Sequence, residues 1–137
     1  MDVMQLSIFI ENKAGRITQV TDCLAHAGLN IRGFAVSDTQ DFGIVRVIVD
    51  DYERGIQALT EAGFTVKATP VLVINLSQDK PGGLALALRT VSDAGVNVEY
   101  IYSLVSTFLA LNVADVEQAR TLLSSTDIEI ASLENLK

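Results

Sequence analysis

Two stretches of this sequence place residues where they could hold a small charged molecule. The first is Glu11-Asn12-Lys13-Ala14-Gly15-Arg16-Ile17, followed by Ala27-Gly28-Leu29-Asn30-Ile31. The second is Gln78-Asp79-Lys80-Pro81-Gly82-Gly83-Leu84, followed by Ala94-Gly95-Val96-Asn97-Val98. In each, a largely apolar run enters the glycine turn and a helical pattern leaves it: Ile17, Val20, Leu24 and Ala27 in one, Leu84, Ala87, Leu88, Val91 and Ala94 in the other. A helix that opens this way presents unpaired backbone N–H groups and the positive end of its dipole. That is a ready site for a carboxylate or a phosphate. Gly15 and Gly82 lack a Cβ, so a ligand can come close to the backbone. Asn12 and Asn30 add amide groups, whose C=O can accept from an ammonium and whose NH₂ can donate to a carboxylate. The chemistry on offer is the binding of an amino acid, which carries both charges on one carbon. Gly15 as a plain turn and Asn30 as a plain strand start fit the spacing equally well.

The remaining polar residues offer no catalytic set. His26, the single histidine, sits late in a helical pattern and reads as solvated. Cys23 reads as core or boundary packing, with no second cysteine to make a metal pair. Asp41-Phe42-Gly43 resembles the kinase metal-binding triplet but lacks the rest of that constellation and reads as a turn. Asp50-Asp51 reads as a helix cap. No nucleophile–base or acid–base pair emerges, and neither metal nor cofactor is expected.

The elements that must position these residues repeat. Gly15 and Gly82 lie 67 positions apart, and the same offset pairs Lys13 with Lys80, Ala27 with Ala94, Gly28 with Gly95 and Asn30 with Asn97. A tandem duplication explains a shared Ala-Gly-x-Asn at one fixed offset. Strands are expected at Gln5–Ile10, Asn30–Val36, Phe42–Val49 and within Phe64–Ile74, with helices after Gly15 and after Asp50 or Asp51. The second half repeats this: strand Val71–Ser77, helix Gly82–Ala94, strands Asn97–Leu104 and Thr107–Val113, a helix capped by Asp115, and a closing strand Ile128–Leu133. Its second helix aligns at an offset near 64, where Glu53 matches Glu117. Each half reads β-α-β-β-α-β, the ferredoxin-like order. The expected class is α+β: two ferredoxin-like repeats, 1–70 and 71–137, each an antiparallel sheet with its helices on one face. Halves this small bury too little surface to be stable alone, so they are expected to pack as one body.

Composition excludes several function classes. The 137 residues carry a net charge of −7, with a pI of about 4.5, which argues against a phosphate backbone as partner. One cysteine allows no intramolecular disulfide. No leader pattern follows Met1-Asp2, and no apolar run reaches the roughly 18–20 residues that span a bilayer. A soluble cytoplasmic protein without nucleic-acid or membrane partners is the expectation. A hydrophobic content of 49% in such small halves leads us to expect a homodimer or larger oligomer.

Both glycine motifs, each with its asparagine fifteen residues later, resemble the ACT domain, and the resemblance covers nearly the whole chain as two repeats. It implies a regulatory module that binds amino acids where domains pair. It carries ligand contacts onto Asn12, Lys13, Ala14, Gly15, Arg16, Ile17, Asn30 and Ile31. In the second repeat the matching positions are Asp79, Pro81, Gly82, Gly83, Leu84, Asn97 and Val98. Asp79 departs from the asparagine of serine-sensing members; a carboxylate there could help bind an ammonium but would repel the carboxylate of a ligand. The implied function is a non-catalytic amino-acid sensor, with a metabolic enzyme as a possible partner. Two rivals stand beside it. One is an assembly module without ligand sensing. The other is an acylphosphatase-like enzyme, for which Arg16 is suggestive but the rest of the signature is missing.

Overall fold

Leu6, Ile8 and Ile10 alternate along strand β1, Val3–Glu11, and all three are buried on one face. The computed structural model describes residues 2–38, 41–76 and 81–137. After β1 come α1 (Arg16–His26), β2 (Ile31–Asp38), β3 (Phe42–Val49), α2 (Tyr52–Glu61) and β4 (Thr65–Asn75). The second set is α3 (Gly83–Asp93), β5 (Val98–Ser103), β6 (Phe108–Val113), α4 (Val116–Ser124), β7 (Glu129–Ile130) and the short α5 (Leu133–Leu136).

Two compact units are present, residues 4–69 and residues 70–137. Asp2 and Val3 belong with the second, where Asp2 accepts from Arg120 at 2.9 Å. In the first unit the strand order is β2-β3-β1-β4; in the second it is β5-β6-β4-β7. Both are the antiparallel ferredoxin-like order with two helices on one face, as the sequence leads one to expect.

The cores follow from the patterns. In the first unit Val20 and Leu24 of α1 and Leu59 of α2 pack on Leu6, Ile8, Val45 and Val47. In the second, Ala87 and Val91 of α3 and Ala119 and Leu123 of α4 pack on Leu72, Ile74 and Leu111. Each fully buried Leu or Val contributes about 1.5–3 kcal/mol relative to exposure. The registers correspond: Leu6↔Val47 and Ile8↔Val45 in one unit, Leu72↔Leu111 and Ile74↔Leu109 in the other. The first strands thus match at an offset of 66 and the third strands at 64, whereas the helices that follow the first strands match at 67. The extra residue of the second repeat falls between Leu76 and Gly82, largely outside the described residues.

Two expectations need correction. The closing strand expected over Ile128–Leu133 is only Glu129–Ile130. Ala131 still donates to the Val73 carbonyl at 2.8 Å, but the Ser132 N–H turns to Asn135 Oδ1 at 2.8 Å and starts α5. The Asp41-Phe42-Gly43 triplet is not a turn throughout: Phe42 and Gly43 already pair in β3, opposite Glu11 and Ile10.

Gly55 marks the closest approach of α2 to its sheet. A methyl group there would sit 2.9 Å from Leu6 Cδ1 and 3.3 Å from Val49 Cγ2. The equivalent of Gly55 in the second repeat is Ala119, which is fully buried. Gly55→Val is therefore expected to destabilise the chain by about 1–3 kcal/mol through overpacking, and Ala119→Gly by roughly 1 kcal/mol through helix propensity. Urea unfolding of the two variants checks both.

Candidate functional site

The first glycine turn is built as its sequence suggests. Gly15 is the N-cap of α1 with φ 88°, a left-handed conformation that side chains rarely adopt. No side chain caps the helix, and its first turn contains no acidic residue. The Arg16 N–H reaches the Lys13 carbonyl at 3.3 Å, which leaves the amides of Ile17 and Thr18 without a helical acceptor. Nothing lies within 4 Å of the Cβ position at Gly15. Gly82 is likewise the N-cap of α3, with φ 98°, no side-chain cap and nothing within 4 Å of its Cβ position. The other two long helices differ. Asp51 caps α2 by accepting from the Arg54 N–H at 3.3 Å, and Asp115 caps α4 by accepting from the Gln118 N–H at 3.0 Å. Of these four helices, only the two led by glycine present open ends.

The side chains around the first turn are ordered by charge. Glu11 pairs with Lys13 at 3.4 Å and with Arg16 at 3.5 Å, while Arg16 also donates to Gln19 Oε1 at 2.8 Å. Asn12 donates its backbone N–H to the Asp41 carbonyl at 2.9 Å, tying the turn to the start of β3. Ala14 is exposed, as are Ile17 and its counterpart Leu84, at 41% and 38%. Both are large apolar side chains beside open amides.

Asn30 stands just before β2 and is held by Asp50. Its backbone N–H donates to Asp50 Oδ1 at 3.2 Å and its side-chain Nδ2 to Oδ2 at 3.5 Å. Asp51 is thus the helix cap, and Asp50 has a separate role. Asn30 as a whole is exposed at the sheet end. Ile31, half-buried, packs on the first core.

One repeat does not bring its two asparagines together. Glu11, next to Asn12, pairs with Phe42, whereas Ile31, next to Asn30, pairs with Val49. Those partners are the two ends of β3, separated by on the order of 23 Å at about 3.3 Å per residue. A ligand that touches both residue types must use the turn of one repeat and the strand start of another.

In the second repeat Pro81 is exposed beside Gly82, and Gly83 is half-buried as the first residue of α3. Asn97 is exposed just before β5, which Val98 opens. The position equivalent to Asp50 is Ala114, so the tether on Asn30 has no counterpart on Asn97. Asp79 lies outside the described residues.

A cleft of about 370 Å³ opens beside the first turn, between the end of β1, the start of α1 and the α2–β4 corner. It is lined by Phe9, Ile10, Glu11, Arg16, Gln19, Phe42 and residues 62–65. Sequence reasoning missed Phe9 and Phe42. The signal was an aromatic at an outward position of each alternating strand.

His26 is exposed in the last turn of α1. Cys23 is half-buried, donates to the Ala58 carbonyl at 3.3 Å, and has its thiol pushed above the ordinary range by desolvation. Among the described residues no three His, Cys, Asp or Glu gather as a metal site. None of the helices described is long and apolar enough to cross a membrane.

The whole chain, residues 1–137, matches the family model described as an ACT domain pair. It belongs to that family, as the two glycine motifs suggested. Among solved structures, the Bacteroides thetaiotaomicron protein BT0572 is similar at 32% identity and a TM-score of 0.89, over 99% of this chain and 96% of that one. The regulatory subunit of aspartate kinase from Thermus thermophilus, in its ligand-free form, matches at 18% identity and a TM-score of 0.64, over 90% and 89%. Its counterpart from Thermus flavus matches at 18% and 0.64, over 99% and 93%. The two Thermus proteins share the fold. No curated protein sequence matches.

The Cys23 environment yields a directional expectation. Folding favours the protonated thiol, so this residue's contribution to stability falls as pH rises through the unfolded thiol's value of about 8.5. Native chain at pH 8 should accordingly react with a thiol reagent several-fold more slowly than urea-unfolded chain. Equal rates would contradict the burial of the sulfur.

Proposed function

We propose that this chain is a non-catalytic regulatory protein whose ACT repeats, 1–70 and 71–137, sense an L-amino acid. The observation that carries the reading is the contrast between helix starts. Helices α1 and α3 open on left-handed glycines with uncapped amides, while α2 and α4 are closed by their own aspartates. The ligand carboxylate meets the first-turn amides next to Gly15. Asn12 of that turn and Asn30 of another repeat fix the ammonium, across an interface between repeats. The exposed Ile17 and Leu84 are covered when such an interface forms.

Family membership supports a regulatory role, and a similar fold occurs in the regulatory subunit of aspartate kinase. The working assembly is a homodimer in the cytoplasm, acting on a metabolic enzyme. Light scattering across a concentration series should return at least a dimer mass at micromolar concentration; a monomer mass throughout would count against the assembly.

A thermal-shift screen of the twenty amino acids tests the sensor. Ligand at about a hundred times its dissociation constant stabilises the native state by about 2.7 kcal/mol. For a chain of this size the melting temperature should rise by roughly 5–10 °C. Gly15→Val should abolish the shift, and Asn30→Ala should weaken it with less effect on the unliganded fold. Asn97→Ala should matter less, because the second repeat carries Asp79 and lacks the Asp50 tether. If no amino acid shifts the wild type, an assembly module without ligand sensing takes the place of the sensor. The exposed Leu84 and Leu86 on α3 favour that second reading.

A further inference from the structure

The cleft beside Arg16 has a composition that the glycine-turn site does not require. Three of the five phenylalanines in the chain, Phe9, Phe42 and Phe64, line it. Phe9 is 45% exposed and Phe42 65% exposed, so two large rings meet solvent at one opening. Beside them lies an ion pair that is only loosely made, Glu11 to Arg16 at 3.5 Å, with Arg16 steadied by Gln19 at 2.8 Å. Lys13, the other cation on Glu11, stands 3.4 Å from it.

We infer that this cleft is a self-contained site in the first repeat for a large apolar α-amino acid, sharing Glu11 and Arg16 with the glycine turn but using neither its open amides nor Asn30. A zwitterion can replace the loose ion pair at both ends. Its carboxylate takes the planar fork of Arg16, and its ammonium takes the carboxylate of Glu11. Its side chain then covers Phe9, Phe42 and Phe64 and removes their apolar surface from water. A carboxylate without the ammonium, such as a 2-oxo acid, would bring its charge beside Glu11 unpaired. A volume of about 370 Å³ falls at the lower end of the roughly 300–1,000 Å³ of small-molecule sites.

The second repeat serves as an internal control. Its residues equivalent to Phe9, Arg16, Phe42 and Phe64 are Asn75, Gly83, Ser106 and Ile128. Asn75 is already engaged with Glu129 at 3.1 Å. The same scaffold without the aromatic and charged lining shows that the fold does not need it. One such ligand per chain is expected.

The test is an NMR titration of the ¹⁵N-labelled full chain with L-phenylalanine, L-serine and phenylpyruvate. L-Phenylalanine should move the amides of residues 9–11 and 62–65, and L-serine should not. Phe42→Ser, which installs the second repeat's residue at an exposed position, should weaken L-phenylalanine at least tenfold. Glu11→Gln should erase the preference for L-phenylalanine over phenylpyruvate. Asn30→Ala reports on the glycine-turn site alone and should leave this binding intact. The inference is overturned if L-phenylalanine moves no cleft amide, or if Phe42→Ser binds it as well as wild type. Loss in Asn30→Ala with full binding in Phe42→Ser would leave only the glycine-turn site; the reverse pattern would leave only the cleft.

Discussion

An α-helix that begins on a left-handed glycine leaves its first amides without an acceptor, and this chain does so twice. The sensor reading follows from that electrostatic fact. The sheet fixes where each open end points, since β1 and β4 deliver the chain into α1 and α3. The buried contacts of Val20 and Leu24 hold α1 against β1 and β3, so its open end cannot swing to find a partner within the repeat. The amides need an acceptor from outside, water or an anion.

The length of β3 is the second constraint. Because it separates Asn12 from Asn30 within a repeat, any site using both is composite by geometry. The two repeats have also diverged around a shared skeleton. Gly55 corresponds to Ala119, Asp50 to Ala114 and Phe42 to Ser106 in sequence, while the core registers stay matched. Divergence has fallen on side chains outside the two cores and on one helix–sheet contact, not on strand order.

The fold was largely legible in the sequence because its signals are local and doubled. Alternation in Leu6, Ile8 and Ile10, the glycines at 15 and 82, and the aspartates at 51 and 115 each specify a short-range conformation. The end of the chain was less legible. Ile128 to Leu133 has strand composition, yet the side chain of Asn135 draws the Ser132 N–H out of the ladder, a competition that composition does not reveal. The cleft was hidden for another reason. Phe9, Phe42 and Phe64 are far apart in sequence, and only the pairing of β1 with β3 and the α2–β4 corner gather them. The separation of Asn12 and Asn30 was hidden likewise, since motif spacing carries no register.

The tether from Asp50 to Asn30 has a consequence for how two related sites would answer the same solute. A side chain already stopped by a carboxylate loses little freedom when a ligand arrives, whereas a rotor that must be frozen costs about 0.5–1.5 kcal/mol. Asn30 starts in the first condition, with its NH₂ turned to Asp50. Asn97, beside Ala114, starts in the second and can turn either end of its amide outward. If both repeats hold the solute, the two sites would saturate at different concentrations. The stiff one would fill first and discriminate more; the loose one would fill later and accept a wider range of solutes. One chain could thereby report over a broader concentration span than either detector alone.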